Sequence, residues 1–360
     1  MVKRAAQEAG FDLSGIAPAV EAPELNHFPA WIAAGRAGEM KYMEARDEQG
    51  ALKRASLARV APWARSVIVC AINYNAGEPY STEFRDRSRG WISRYAWSRE
   101  DYHDAVLRRL QQVESALRAA VGDEGLVTRS YVDTGPIVER VFAKYSGVGW
   151  IGKNTCLINQ KKGSWFFLGV ILTSLELSPD LFSADLLSAD LLSADLPAPD
   201  RCGTCTRCID ACPTEALLAP YQLDSNRCIA YLTIEKRGEI PEEMRAGVGR
   251  HVFGCDICQD VCPWNRKAPA TSAPEFQPRP GLVNPALDWL AEMSEEEFRT
   301  TFRGSPIRRT KRTGLRRNAV IAMGNSGDRK FIPLLEKLEN DEDETVAKTA
   351  RWARVKFGSS

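Results

Sequence analysis

Two cysteine-rich stretches, CGTCTRCIDACP at residues 202–213 and CDICQDVCP at residues 255–263, indicate the fold of the central part of this 360-residue chain. The first stretch has the spacing C-x2-C-x2-C-x3-C-P, and the second has the shorter spacing C-x2-C-x3-C-P. Three closely spaced thiolates wrap one 4Fe-4S cluster, while the cysteine before the proline binds a different cluster. The spacing therefore predicts two 4Fe-4S clusters that exchange their fourth ligands.

The second stretch is one cysteine short, and Cys228 in DSNRCIAY is the candidate that completes its ligand set. The exchanged arrangement of bacterial ferredoxins then gives one cluster Cys202, Cys205, Cys208 and Cys262, and the other cluster Cys212, Cys228, Cys255 and Cys258. Zinc is the alternative, but zinc sites usually combine pairs of C-x2-C. The spacing favours a ferredoxin-like module over residues 201–268. Cys70 and Cys156, in apolar or strand-like settings, are expected to be ordinary thiols.

Composition and charge are those of an ordinary soluble protein. The hydrophobic content is 44%, the charged content is 26% and the formal net charge is +1. Any attraction to nucleic acid must therefore come from a local patch. No apolar run reaches the roughly 18 residues that span a bilayer, and the N-terminus has no cleavage signature, so we expect a cytoplasmic protein. Cytosolic thiols are kept reduced, so the ten cysteines favour metal over disulfides.

Residues 1–180 are expected to form an α/β or α+β domain with a covered sheet. Three apolar segments, SVIVCAIN at 66–73, LVTRSYV at 126–132 and FFLGVILT at 166–173, predict strands. The amphipathic segment 101–120 predicts a helix between them. Residues 1–60 show a helical pattern interrupted by glycines.

Two further segments complete the chain. In residues 181–200 the unit Ser-Ala-Asp-Leu-Leu occurs almost three times, and we expect a connector without an assigned function. Residues 269–360 begin with a proline-rich linker and continue as short helices that resemble HEAT-type repeats. Ser294 and Glu297 form a possible capping box within this part.

A basic segment lies in the C-terminal part. It contains no acid, and its cations are Arg303, Arg308, Arg309, Lys311, Arg312, Arg316 and Arg317. A local positive patch suits a phosphate backbone, although a solvated basic face would have the same composition.

Several longer motifs point to a family. They are FDLSGIAPA (11–19), RSVIVCAINY (65–74), ISRYAW (92–97), DYHD (101–104), YVDTGPIVER (131–140) and GVGWIGKNTC (147–156). Together with the cysteine stretches and the C-terminal helices, they resemble the epoxyqueuosine reductases. The resemblance implies an N-terminal domain of the reductive dehalogenase type that binds base-off cobalamin, reduced by two 4Fe-4S clusters. It also implies removal of the epoxide oxygen of epoxyqueuosine at the tRNA wobble position. We expect a monomer that receives electrons from an external donor.

The resemblance also implies functional residues. Asp133 matches the proton donor, whose pKa we expect burial against the corrin to raise; a cap of the turn at Thr134 and Gly135 is the alternative. Glu139 and Arg140 are expected either to form a buried ion pair or to cap a helix. The predicted cobalamin contacts are Arg54, Tyr95, Trp97, Asp133, Lys153, Asn154 and Ser164. Of these, Lys153 and Asn154 belong to the glycine-rich loop of the 147–156 motif. The predicted tRNA contacts are Arg308, Arg309, Lys311, Arg316 and Arg317.

Two other functions remain open at this point. One is a reductive dehalogenase-like cobalamin enzyme that acts on a small molecule, which would share the cofactor domain but would not need the basic segment. The other is a dicluster electron carrier, which would leave residues 1–180 without a role.

Overall fold

The computed structural model describes residues 1–77, 79–178 and 198–358. The strands in these residues are β1 (Leu13–Pro18), β2 (Ser66–Asn73), β3 (Trp91–Ile92), β4 (Thr128–Tyr131), β5 (Trp150–Ile151), β6 (Leu157–Ile158), β7 (Phe166–Thr173), β8 (Leu217–Ala219), β9 (Gln222–Leu223) and β10 (His251–Phe253). The α-helices are α1 (Val2–Glu8), α2 (Phe28–Ala33), α3 (Leu57–Val60), α4 (Tyr102–Val121), α5 (Glu139–Tyr145), α6 (Arg207–Asp210), α7 (Ile229–Ile234), α8 (Glu242–Val248), α9 (Ile257–Asp260), α10 (Leu287–Glu292), α11 (Glu295–Thr301), α12 (Lys311–Ser326), α13 (Ile332–Leu338) and α14 (Glu344–Gly358).

An antiparallel sheet with the order β1-β2-β7-β4 forms the N-terminal part. The strands predicted at 66–73 and 166–173 are confirmed as β2 and β7, and the third is confirmed as the shorter β4. Because every pairing in this sheet is antiparallel, the class is α+β. The expected helical pattern over the first 60 residues is wrong for residues 13–18, which form the strand β1. Ser14 and Gly15 interrupt the apolar pattern by which a buried strand is recognised in a sequence.

Helices cover both faces of this sheet. All eight residues of β2 are buried, and its side chains alternate between two cores. Ile68 and Ile72 face α1 and α4, while Val67 and Val69 face α5. Gly169 lets α4 approach β7 closely, since a Cβ at this position would lie 2.8 Å from Leu110 Cδ1. The covered sheet expected from its continuous apolar runs is thus confirmed.

A buried carboxylate joins the N-terminal part to the cysteine-rich part. Asp256, fully buried between two cysteines of the second stretch, accepts hydrogen bonds from Trp91 Nε1 at 2.9 Å, Ser93 Oγ at 2.5 Å and Arg94 N at 2.8 Å. Beside this contact, β3 pairs with β10 in parallel. A buried acceptor with three donors is well satisfied, so the two parts are fixed to each other here.

The proline-rich segment expected to be a linker packs on the sheet instead. Phe276 is 2% exposed, and its ring centroid lies 5.0 Å from that of Phe167. Glu275 pairs with Arg109 of α4 at 2.5 Å, and the backbone N–H of Thr271 donates to Asn75. The segment therefore belongs to the folded core.

The C-terminal helices form where the sequence predicts helical segments. Ser294 caps α11, and its capping box with Glu297 is confirmed. The helix predicted from Leu315 is α12, which ends at Gly327 in a left-handed conformation. The predicted connector and its repeat lie outside the described residues, except for 198–200. In the parts of the chain that are described, no helix is both long and apolar enough to cross a membrane.

The fold buries part of the basic segment and leaves the rest on the surface. Arg316 is buried, pairs with Asp341 at 2.5 Å and donates to the carbonyl of Ala291. Arg317 is 1% exposed and donates to backbone carbonyls of the residues before α8, those of Leu232, Lys236 and Gly238. The prediction that these two arginines contact tRNA is therefore wrong, because α12 turns them into the protein interior. Arg308, Arg309 and Lys311 remain on the surface.

Candidate active site and cluster cavities

Two cysteine-lined cavities lie side by side. The first, of about 310 Å³, is lined by four thiols, those of Cys202, Cys205, Cys208 and Cys262. The second, of about 370 Å³, is lined by the other four, those of Cys212, Cys228, Cys255 and Cys258. This grouping of thiols is the one that the exchanged spacing predicts; as ligand sets, the two groups stay a prediction.

The second cavity also contains the side chain of Asp133. This residue follows β4 with a φ of +58°, a left-handed conformation that a non-glycine residue adopts at a cost. Its Oδ2 accepts a hydrogen bond from Tyr102 Oη at 2.9 Å and lies 3.7 Å from His103 Nε2. Its carboxylate lines the second cavity and forms no hydrogen bond to the following turn among the described residues. The alternative of a turn cap therefore does not account for this aspartate.

The proton in this group lies on the histidine. Burial acts to raise the pKa of Asp133, but hydrogen bonds from His103 and Tyr102 outweigh it, so the pKa stays below its usual value. Burial acts to lower the pKa of His103, but hydrogen bonds to Asp101 and Asp133 raise it to about 9. The expected rise in the pKa of Asp133 depends on burial against a corrin and stays a prediction. A protonated imidazole faces an ionised carboxylate at neutral pH.

His103 is a functional candidate that the sequence analysis missed. It lies in the DYHD motif at residues 101–104. Asp101, the N-cap of α4, bonds both the backbone N–H of His103 at 3.1 Å and its Nδ1 at 2.7 Å. This helix cap thus fixes the ring with Nε2 toward Asp133. A histidine two residues after an N-cap aspartate was the available signal.

Arg54 positions the loop that carries Asp133. Its Nη1 donates to the carbonyls of Gly135 at 2.6 Å and Ile137 at 3.0 Å. Arg140 donates to the carbonyl of Thr155 at 3.1 Å, and Glu139 begins α5. Among the described residues, Glu139 and Arg140 form neither an ion pair with each other nor a side-chain cap of α5, so neither alternative is confirmed.

The other predicted cofactor contacts fall in different places. Tyr95 lines the second cavity next to Tyr102, with their ring centroids 6.0 Å apart, and Asn154 lines both cavities. Ser164 lies behind the wall and donates to Gln259 Oε1 at 2.8 Å. Lys153 lines the first cavity, where its Nζ donates to the carbonyls of Gly203 at 2.6 Å and Cys205 at 3.1 Å. Lys153 therefore contacts the loop of the first cysteine-rich stretch.

Trp97 is a core residue, and the prediction of a cofactor contact is wrong for it. It is 1% exposed, its Nε1 donates to the carbonyl of Ile92 at 2.7 Å, and its ring packs on Trp91 at 5.4 Å. The aromatic character that suggested a ligand contact serves the hydrophobic core instead.

The glycine-rich loop is the hairpin of β5 and β6. A Cβ on Gly149 would lie 2.3 Å from the carbonyl oxygen of Ile158, so this glycine is required by close packing within the hairpin. The hairpin also brings Cys156 to the wall of the second cavity, beside Cys258. The expectation that Cys156 is an ordinary thiol stays a prediction, and Cys70 is buried in the apolar strand β2.

Comparison with known proteins decides the family. The model described as epoxyqueuosine reductase QueG, DUF1730, matches residues 54–134, and the model described as a 4Fe-4S double cluster binding domain matches residues 201–265. An epoxyqueuosine reductase of Xanthomonas campestris is 39% identical over 99% of this chain and 95% of its own length. The chain belongs to the epoxyqueuosine reductase family. The family predicted from the motifs is confirmed, and so is the iron–sulfur character of the cysteine-rich part.

Other epoxyqueuosine reductases are similar to this chain over all or nearly all of its length. That of Pseudomonas aeruginosa is 39% identical over 100% of this chain and 94% of its own. A crystal structure of epoxyqueuosine reductase with an epoxyqueuosine-modified tRNA-Tyr stem loop has a TM-score of 0.84 and 30% identity, covering 99% of this chain and 89% of that one. The structure from Streptococcus thermophilus has a TM-score of 0.84 and 27% identity, covering 100% and 90%.

The ligand assignment predicts that Cys228→Ala removes one cluster and keeps the other, because only the second cavity loses a thiol. Iron and acid-labile sulfide per chain should fall by about half after anaerobic reconstitution. Cys70→Ala removes a thiol that lines neither cavity and should keep the full iron content. An unchanged iron content in Cys228→Ala would contradict the assignment.

Proposed function

We propose that this chain reduces epoxyqueuosine to queuosine in tRNA with electrons supplied through its two 4Fe-4S clusters. The observation that carries the proposal is the second cavity, which is lined by the four predicted ligands of one cluster and by Asp133, whose Oδ2 lies 3.7 Å from His103 Nε2. Electrons and a proton can therefore reach a substrate bound in this cavity. An external electron donor and a monomeric, cytoplasmic protein are parts of the proposal that rest on the sequence.

We propose that the same cavity binds base-off cobalamin. Its wall combines the aromatic side chains of Tyr95, Tyr102 and Phe167 with a buried oxygen of Glu139 that bonds no described protein group. Burial raises the pKa of Glu139 to about 7. A buried polar atom without a partner is costly, and the amides at the rim of a corrin are suitable partners. Bound there, cobalamin would supply a cobalt centre that is strongly nucleophilic when reduced.

The chain's own residues supply one of the two protons, and solvent supplies the other. Opening of an epoxide leaves an alkoxide-like oxygen, and its loss as water consumes two electrons and two protons. Asp133 projects into the cavity, and His103 lies directly behind it with Nε2 3.7 Å from Oδ2. We infer that His103 holds the proton at neutral pH and that Asp133 delivers it to the substrate oxygen.

Arg54 and Tyr102 hold Asp133 in position. The two bonds from Arg54 to the carbonyls after Asp133 hold the loop, and the Tyr102 hydroxyl orients the carboxylate. A loop fixed at both ends keeps the strained φ of Asp133, so the carboxylate points into the cavity before a substrate arrives.

The tRNA contact is proposed for the surface near α12. The exposed cations Arg308 and Lys311 have no carboxylate within 4 Å among the described residues, whereas Arg309 pairs with Glu235 at 2.7 Å and stacks on Tyr42. Cations without partners suit phosphates, and a wobble base must be turned out of the anticodon loop to reach the cavity. The proposed parts of the chain are a cobalamin-binding domain (1–180), a connector (181–200), a cluster module (201–268) and a tRNA-binding part with HEAT-like helices (269–360).

Asp133→Asn should retain both clusters and cobalamin yet lose turnover by about 10²–10⁴-fold, the usual contribution of a positioned acid. Turnover is measured with reduced protein on a stem loop that contains epoxyqueuosine. Asp104→Asn changes an exposed aspartate of the same helix that bears His103, and it should remain fully active. Wild-type turnover in Asp133→Asn would remove Asp133 from the mechanism.

The rate should decrease as the pH rises through about 9, because His103 is protonated below its pKa and neutral above it. Single-turnover rates of pre-reduced protein report this dependence without a contribution from electron delivery. His103→Gln should have a lower rate that no longer shows this decrease. An identical alkaline decrease in His103→Gln would show that another group supplies the proton.

Reversal of charge at Arg308 and Lys311 to glutamate should weaken stem-loop binding. It should also reduce the salt dependence, because fewer phosphates are neutralised. The matched control is the double reversal of Arg329 and Lys330, two exposed cations beyond the other end of α12, about 24 Å away by helix rise. Equal binding by both variants would exclude the α12 surface.

A further inference from the structure

We infer that the indole N–H of Trp150 donates a hydrogen bond to a sulfur of the first 4Fe-4S cluster and thereby raises the reduction potential of that cluster. Trp150 belongs to β5, more than 50 residues before the first cysteine stretch, and no motif of the ferredoxin type includes it. The inference concerns cluster chemistry and goes beyond the proposed reaction on tRNA.

The surroundings of Trp150 contain the thiols of the first cavity. The side chain is 3% exposed and packs in one apolar group with Cys202, Cys262, Ile158 and Ala198. Trp264, next to Cys262, meets it edge to face at 5.1 Å. The ring is therefore fixed against the cysteine loop by contacts on several sides.

The indole nitrogen has no nitrogen or oxygen acceptor in the described protein. Trp150 Nε1 is buried and without such a partner. A buried donor left unpaired costs about 1–3 kcal/mol, so an acceptor is expected. The groups packed against the indole include the sulfur-bearing side chains of Cys202 and Cys262. A cluster held by Cys202 places sulfur acceptors at this point.

The β5–β6 hairpin carries Trp150 next to the first cavity, whose wall also includes Lys153 and Asn154. The Lys153 ammonium fixes the hairpin to the loop through the carbonyls of Gly203 and Cys205. On its other side, the hairpin contacts the second stretch through Asn154 Nδ2, which donates to the carbonyl of Cys258 at 3.3 Å. A segment outside the cluster module thus lies between both cysteine groups.

Donors to cluster sulfurs act on the reduction potential. Reduction adds negative charge to the cluster, and an N–H dipole directed at sulfur stabilises the more negative state. Trp150 therefore makes the first cluster easier to reduce than it would be without this bond. The first cavity does not contain Asp133, whereas the second does. The indole thus favours electron uptake at the cluster remote from the substrate.

The test is an EPR-monitored redox titration of the full chain, reconstituted anaerobically without cobalamin or tRNA. In Trp150→Phe, one of the two reduction steps should move to a more negative potential and the other should stay unchanged. A tenfold loss in the equilibrium constant for one electron corresponds to about 59 mV. Iron and sulfide content establish that both clusters are present. Because neither cobalamin nor tRNA is added, failure here leaves the proposed function untouched.

Trp165→Phe is the matched control, because Trp165 is fully buried, its Nε1 also bonds no described group, and its ring lies against Arg94 at 4.6 Å rather than against a cysteine of the first cavity. Its titration should match that of the parent protein. Replacement of Trp150 by 3-benzothienylalanine, which keeps the bicyclic shape without the N–H, should reproduce the shift if phenylalanine impairs assembly. ENDOR spectra of the reduced parent protein should also contain a proton coupling that disappears in D2O and in Trp150→Phe.

Unchanged potentials in the variants with both clusters present would overturn the inference. So would an equal shift in Trp165→Phe, since the effect would then be general, and so would the lack of an exchangeable-proton coupling at the first cluster of the parent protein.

Discussion

The packing of the β5–β6 hairpin against the two cysteine-rich stretches is the interaction on which the site depends. The hairpin belongs to the N-terminal sheet part, yet Lys153 bonds the loop of the first stretch and Asn154 bonds the second. Lys153 lines the first cavity and Asn154 lines both, so two consecutive residues of the hairpin contact both cysteine-rich stretches. The distance between the cysteines and Asp133 is thereby set by the fold of the sheet and does not depend on a flexible linker.

Charge in the second cavity follows from the same packing. Asp101 caps α4 and fixes His103, and Arg54 fixes the loop after β4, so the imidazole and the carboxylate of Asp133 meet at the cavity wall. Against the effect of burial, hydrogen bonds to Asp101 and Asp133 raise the pKa of His103 to about 9, and hydrogen bonds from His103 and Tyr102 lower the pKa of Asp133. One proton is thus stored next to the space that the cysteines of the second cavity also face. A reaction that consumes electrons and protons needs the electron donor and the proton donor close to the same bound substrate.

The sequence predicts the parts whose information is local. Cysteine spacing predicts the dicluster module, and continuous apolar runs predict β2 and β7 almost to the residue. The motif around Asp133 predicts the family. Features that depend on which side of an element faces the core could not be predicted in this way. Arg316 and Arg317 look like surface cations in the sequence, yet the orientation of α12 buries them. Trp97 looks like a ligand contact and is core, while His103 and Trp150 acquire their roles only from neighbours distant in the chain.

The central claim is that electrons from the clusters and a proton from the Asp133–His103 pair meet in one cavity to remove an epoxide oxygen. The most direct measurement incubates the chain, loaded with both clusters and cobalamin and chemically reduced, with a tRNA stem loop that contains epoxyqueuosine, and identifies the product nucleoside by mass spectrometry. We expect queuosine, which is lighter than the substrate by one oxygen atom, and we expect it to form only when both clusters and cobalamin are present. Bound cobalamin and fully reduced clusters with an unchanged epoxide would contradict it.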